Sequence, residues 1–487
     1  MNRWLELSRT NPRAYALLVG ASVAIVAIGL GAALGLAGPL ITVGAVLALA
    51  AGLWVLSRLE VGLYAMIAVI TLVPFASLPF KVVFRPTFLD VALLGVLFVY
   101  ALQWMSGRRR QMTLTPAHAP VVVFMLLAVF SFVLGLPNGP LTPNLIRQFA
   151  ELLLSIAFVF VVVDVVTERA ALERLTRVIM LTGALAALIG IVLYFLPETV
   201  SNQALSALRV FEYPAGNVLR YIEDNPDNPQ RAIATAIDPN ALGGMLAMVG
   251  GLIAPQLAAG KPLLRWRGLA YLVFGVVAAC LVLTFSRGAL AALAAAMVVI
   301  ALARYRRLLV VIALGAVVIV LLPVMQDYVA HFVEGVQGQD LATQMRLGEY
   351  KDAFTLISRY PWLGVGFSGA PAIDLYVGVS SAYLLMASEM GIVGVAGFAL
   401  VIGVLVGWGF LRRRAVYRDP ALTPIWLGLY AGLAAALSVG FVDHYFFNLD
   451  FQAAGTLFWL YVGLALAATR LGDQAEQSPA GDAKSPT

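Results

Sequence analysis

The chain of 487 residues has one cysteine and three histidines, and only 12% of its residues are charged. A single thiol, Cys280, excludes an internal disulfide and a cysteine-based metal centre. The shortage of charge excludes an ordinary soluble domain, in which about 25% of residues are charged. No soluble domain interrupts the apolar runs, and no internal repeat is visible. The net charge of +6 does not point to nucleic acid, because the basic residues fall in short clusters between apolar runs. Such clusters are orientation signals of a membrane protein.

What the sequence has in abundance is apolar length, at 61% of residues. A spanning helix needs about 20 mostly apolar residues. Candidates lie near 15–37, 40–57, 61–80, 87–105, 119–136, 146–166, 174–196, 239–259, 268–285, 288–303, 308–324, 382–410, 423–442 and 450–469. The short runs 40–57 and 288–303 are the weakest of them. The expected fold is an all-α, polytopic membrane protein of about 12–14 transmembrane helices, with an outer-face loop domain containing an amphipathic helix. The run Tyr15 to Ala37 exceeds a signal-peptide core and is read as retained.

With the amino terminus inside, 22 of the 32 basic residues fall in inner loops, among them Arg108 to Arg110, Arg304, Arg306, Arg307 and Arg412 to Arg414. Positive-inside bias then puts both termini in the cytoplasm. The order is a cytoplasmic amino terminus (1–14), helices over 15–196, an outer loop over 197–238, central helices over 239–324, a large outer loop over 325–381 and carboxy-terminal helices over 382–470. A tail over 471–487 has the composition of disorder.

Ten basic residues face outward on this map, and two of them stand out. Arg287, in "TFSRGALAALAAAM", occupies the first turn of a helix, where the macrodipole disfavours a cation. One reading is a side chain snorkelling to the interface. The other is an anion held by the guanidinium and the helix amides, with Ser286 as N-cap. Arg346 lies in a predicted helix from about Asp340 to Tyr360, sharing a face with Tyr350, Ala353 and Ile357, with Phe354 beside them. Lys351, Asp352 and Thr355 form the solvated side. Arg346 therefore needs a carboxylate, such as Glu349, or a phosphate.

Asp238-Pro239-Asn240 reads as an N-cap with proline at the first helical position. Arg231 lies seven residues upstream, within reach of an outer anion. Glu389 is a carboxylate inside an apolar helix, a costly placement that is usually paired or functional. Arg287 or Arg346 is its expected partner. Gly364, Gly366 and Gly369 match G-x-G-x-x-G, but no strand precedes them, so a flexible turn beneath a lid is expected instead of a dinucleotide site. "EDNPDN" lacks the spacing of a calcium loop. Of the histidines, His118 is inner, while His331 and His444 are outer, and His444 follows Asp443.

Taken in order, "RAIATAIDPNALGGMLAM", "TFSRGALAALAA", "MRLGEYKDAFTLISRYPWLGVGF" and "SSAYLLMASEMGIVG" resemble the O-antigen ligase and polymerase family of bacterial membrane glycosyltransferases, over about 231–470. The resemblance implies transfer of a glycan from a polyprenyl diphosphate carrier to an acceptor hydroxyl on a glycan, lipid or protein, outside the cytoplasmic membrane. It implies no nucleotide sugar and no metal. Arg287 and Arg346 carry over as diphosphate ligands, and Arg231 and Lys351 join them as candidates. Asp238, Asn240 and Tyr383 carry over by position.

In one place this sequence departs from the family. Ser380 and Ser381 stand where the family often has a histidine and an asparagine before the tyrosine matching Tyr383. Serine is no base near neutral pH, so His444, the best placed, or Asp443 replaces the histidine, or the reaction needs little base assistance or is not ligation; Glu389 is a further catalytic candidate. Two rival classes remain: an anion or glycan transporter, for which Glu389 speaks, and a non-catalytic partner in polysaccharide assembly, which the missing histidine suits.

Overall fold

The computed structural model describes residues 59–81, 83–310, 312–314, 341–369 and 378–477, with short helical stretches between 19 and 38. Two compact units divide the chain, Met1–Gly62 and Leu63–Thr487. The predicted span 40–57, residues 311 and 315–324 of the span 308–324, and His331 lie outside the described residues.

The described chain is helical almost throughout. Its helices are α1 (Leu59–Leu72), α2 (Phe88–Met105), α3 (His118–Gly135), α4 (Pro143–Val165), α5 (Arg169–Phe195), the short α6 (Glu198–Ser206), α7 (Pro239–Leu257), α8 (Arg267–Leu283), α9 (Arg287–Ala303), α10 (Leu341–Arg359), α11 (Ala382–Tyr417), α12 (Leu422–Val439) and α13 (Gln452–Gln477). Eight are long and apolar enough to cross a membrane: α2, α3 (with the turn that follows it), α4, α5, α7, α11, α12 and α13. Three shorter apolar helices, α1, α8 and α9, join them. This is a multi-pass membrane protein. Helix α13 runs to Gln477, into the segment read as a tail. The predicted loop over 197–238 holds α6 and a two-residue antiparallel ladder, Arg220–Tyr221 with Gln230–Arg231.

Most boundaries follow from local chemistry. Thr87 and Asp90 form a capping box at the start of α2, with bonds of 2.7 and 2.9 Å. Thr142 caps α4, Asp238 caps α7, Ser286 caps α9 and Ser381 caps α11, each accepting from a first-turn amide. Uncharged α7 lies at the centre, packed on α8, α9 and α12, while α13 packs on α4, α11 and α12. Close approach fixes glycine at Gly428, where a Cβ would lie 2.5 Å from the Leu252 carbonyl oxygen.

Helix α11 departs from the sequence expectation of one uninterrupted span. It breaks at Gly391, where φ is 67° and ψ −175°. The chain after α10 pairs with the break: Ile392 and Val393 amides donate to Pro361 and Trp362 carbonyls, and Val365 and Gly366 amides to those of Ser388 and Glu389, at 2.8–3.2 Å. Backbone groups freed inside a membrane helix are thereby satisfied by protein. The flexible turn expected of "GVGFSG" is instead locked, since a Cβ on Gly364 would lie 2.5 Å from two carbonyl oxygens of α11. Ser131 on α3 adds bonds to the carbonyls of Glu389 (2.5 Å) and Leu363 (3.2 Å).

Candidate active site

The capped ends of α7, α9 and α11 meet the end of α12. The Ala382 amide donates to the Gly440 and Asp443 carbonyls, both at 2.9 Å. Ser381 adds a bond from its hydroxyl to Gly440 at 3.3 Å. Tyr383 donates to the Leu437 carbonyl at 2.6 Å. Ser381 and Tyr383 thus hold the entry of α11 against the 437–443 turn, and both hydroxyls are engaged there.

Arg231 reaches this place from the 220–231 ladder. Its Nε donates to the Thr284 carbonyl at 2.8 Å and its Nη2 to Asn240 Oδ1 at 2.7 Å. The Asn240 side chain therefore aims the arginine, while Asp238 Oδ1 accepts the Asn240 and Ala241 amides at 2.8 and 2.7 Å. The helix-start reading of Asp238 holds. Burial lowers the pKa of the Arg231 guanidinium, opposed chiefly by Asp238, and Arg346 lowers it further. The two cations thus act on each other, with Asp238 the chief opposing charge.

Phe285, at φ 51°, turns the chain from α8 into α9 in a sparsely populated conformation. Arg287 follows in the first turn of α9, half-buried. Helices α8 and α9 barely touch each other and pack on α7 instead.

Helix α10 brings Arg346 and Tyr350. The Tyr350 hydroxyl donates to the carbonyls of Ser380 and Phe441, both at 3.2 Å. Glu349 accepts from the Ser380 amide at 2.8 Å. Among the described residues Arg346 forms no ion pair, so the structural pair with Glu349 is not made. The helix buries Ala353 and Leu356, while Phe354 is 60% exposed. The predicted face was therefore right at Ala353 and off at Phe354. Lys351 is exposed, in a shallow groove with Leu347, Tyr350 and Phe354.

Asp443 is buried at the end of the 440–443 turn. Its Oδ1 accepts the His444 amide at 2.9 Å, and the His444 Nδ1 lies 3.8 Å from the same oxygen. Nδ1 has no hydrogen-bond partner among the described residues. Burial pushes the Asp443 carboxyl up to about 6; Asp238 raises it and His444 lowers it. Tyr445, which the sequence reading passed over, is buried and held well above the usual phenol range by burial and by Asp443 and Asp238. Its hydroxyl has no partner of good geometry among the described residues. Beneath it lies an apolar cavity lined by Gly244, Met245, Val439, Phe446 and Phe451.

Glu389 stands apart from this cluster. It is buried on α11, and its Oε2 accepts no hydrogen bond among the described residues, so neither Arg287 nor Arg346 bonds that oxygen. A second charged group went unread: Arg147 Nη1 bonds Asp90 Oδ2 at 3.1 Å and Glu151 Oε2 at 2.8 Å, tying α2 to α4. Its one sequence signal is the i, i+4 spacing of Arg147 and Glu151.

The cluster thus joins Arg231, Asp238, Asn240, Arg346, Tyr350, Asp443, His444 and Tyr445, from four separated segments. Its chemistry is cationic and dipolar at one side, with a carboxyl titrating near neutrality at the other. Residues 270–399, from α8 into α11, match the family model Wzy_C, O-antigen ligase. The resemblance read from the motifs holds over that stretch, which includes Arg287 and Arg346 but neither Arg231 nor Asp443. No curated protein matches the chain.

Proposed function

We propose that this protein transfers a glycan from a polyprenyl diphosphate carrier to an acceptor hydroxyl, at the non-cytoplasmic face of the cytoplasmic membrane, in the assembly of cell-surface polysaccharide. The observation that carries the reading is the convergence of Arg231 and Arg346 beside a buried carboxyl, with the ligase match as its support.

In this reading Arg231, Arg287 and Arg346 hold the diphosphate, because planar guanidinium groups meet phosphate oxygens two at a time. The acceptor oxygen attacks the anomeric carbon as the bond from that carbon to the diphosphate breaks. The electron pair leaves on the diphosphate, where fixed cations stabilise it. The acceptor proton passes to Asp443, which the missing family histidine leaves as the best placed base. His444 is the weaker base candidate, since its ring nitrogen lies 3.8 Å from the carboxylate and lacks the tight bond of an aspartate–histidine pair. Ser380 lines the site through its backbone, held by Glu349 and Tyr350.

An anion transporter is the second reading. One observation favours it: α11 is discontinuous two residues after Glu389, as transporter binding helices often are. Incubating purified protein with a polyprenyl-diphosphate glycan and a hydroxyl acceptor separates the two. Covalent product is expected; unchanged donor, together with uptake of glycan or anion by proteoliposomes, would replace the enzyme reading.

A further inference from the structure

At the opposite end of the bundle a different set of cations gathers. Helix α9 ends at Ala303 and α11 at Tyr417, and the Tyr417 hydroxyl reaches the Ala303 carbonyl at 3.4 Å. The Arg304 guanidinium stacks over the Tyr417 ring, 4.9 Å from its centroid. Arg413 stacks over Phe410 at 3.5 Å and bonds the Phe410 carbonyl at 2.5 Å. Arg413 lies one turn before Tyr417 on α11, and both Arg304 and Arg413 act electrostatically on the Tyr417 phenol.

The nearby acids are already taken. Asp473 pairs with Arg412 at 2.9 Å, and Asp419 with Arg169 at 2.9 Å. Among the described residues Arg304 and Arg413 have no carboxylate partner and rest on aromatic faces instead. A stacked guanidinium keeps its N–H edges open for oxygen acceptors. Arg306, Arg307 and Arg414 are exposed around them. Among the described residues the helix carbonyl ends account for one contact, at Phe410, so most of these donors face solvent.

We propose that Arg304 and Arg413, gathered at Tyr417 between the ends of α9 and α11, bind the phosphate headgroup of an anionic phospholipid. A phosphodiester fits because it offers two oxygens to two edge-on guanidinium groups at headgroup depth. Tyr305 and Tyr417 supply the amphipathic rings typical of that depth. This site is separate from the proposed glycan chemistry and stands if that reading fails.

Native mass spectrometry of protein purified from mixed phosphatidylcholine and phosphatidylglycerol vesicles tests it. The unaltered protein is expected to retain phosphatidylglycerol selectively. Arg304→Gln with Arg413→Gln is expected to weaken retention about thirty-fold, the loss expected for two surface cations. Its melting in detergent reports whether it is folded. If it is not, the lipid selectivity of the unaltered protein decides alone. Equal retention of the two lipids, unchanged retention in the folded double variant, or displacement of the lipid by equimolar inorganic phosphate would overturn the proposal.

Discussion

If Asp443 takes the acceptor proton, the pH dependence of transfer must follow its titration, and the neighbours of Asp443 must move that titration in opposite directions. The carboxyl is pushed up to about 6 by burial, raised further by Asp238 and pulled back by His444. Only the ionised form accepts a proton, so the rate is expected to rise with pH through a midpoint near 6. At pH 5 about a tenth of the plateau remains, and at pH 7 about nine-tenths is reached. Asp238→Asn keeps an N-cap for α7 while removing a negative charge, and so lowers the midpoint. His444→Ala removes the group that stabilises the carboxylate and raises it. Asp443→Asn abolishes the dependence and costs about 10²–10⁴-fold in rate. The assay is single-turnover transfer of labelled glycan at saturating donor, from pH 5 to 8. A flat profile, or shifts of Asp238→Asn and His444→Ala in the same direction, would refute the assignment.

Three further outcomes are expected. Arg231→Ala and Arg346→Ala each abolish transfer at near-normal protein levels, while lysine restores it only in part; full activity in both alanine variants removes the anion site. Folding favours neutral Asp443, a contribution complete below about pH 4 and lost as pH rises through 6, so Asp443→Asn should stabilise above pH 6 by up to about 3 kcal/mol, read as a raised melting temperature in detergent. Cysteines placed in 197–238 and 341–369 should label from outside intact cells, and labelling only after permeabilisation reverses the orientation.

What could be read from the sequence was mostly local. Asp238-Pro239, Ser286 and the apolar runs predict where helices start because a cap and its amide lie two or three residues apart. Arg346 was marked out by helical spacing alone. The break in α11 was hidden, since "SEMGIVG" reads as an ordinary apolar helix and its cause is the segment 361–366 pairing with it. The partners of Arg231 were likewise out of sight: Thr284 is 53 positions away, brought close where the α8–α9 turn packs on α7. Tyr445 carried no signal because an aromatic residue beside apolar neighbours reads as core.

Why a cation should stand at the start of a helix can now be answered by comparing the two ends of the bundle. At the inner end on the proposed orientation, the more buried cations meet helix carboxyl ends or acids. Arg470 donates to the Val163 and Val166 carbonyls at 3.1 and 2.6 Å, and Arg109 pairs with Asp164 at 2.7 Å. Dipole and charge agree there. At the other end the amino termini of α7, α9 and α11 already present partial positive charge, and Arg231, Arg287 and Arg346 add to it. The acids at hand, Asp238 and Glu349, each give one oxygen to backbone amides. Arg231 and Arg346, on the unfavourable side of the dipoles, cost stability by the same rule that rewards Arg470. An anion delivered with each turnover would offset that cost, which supports the proposal that the reaction takes place at this end and not at the end with more arginines.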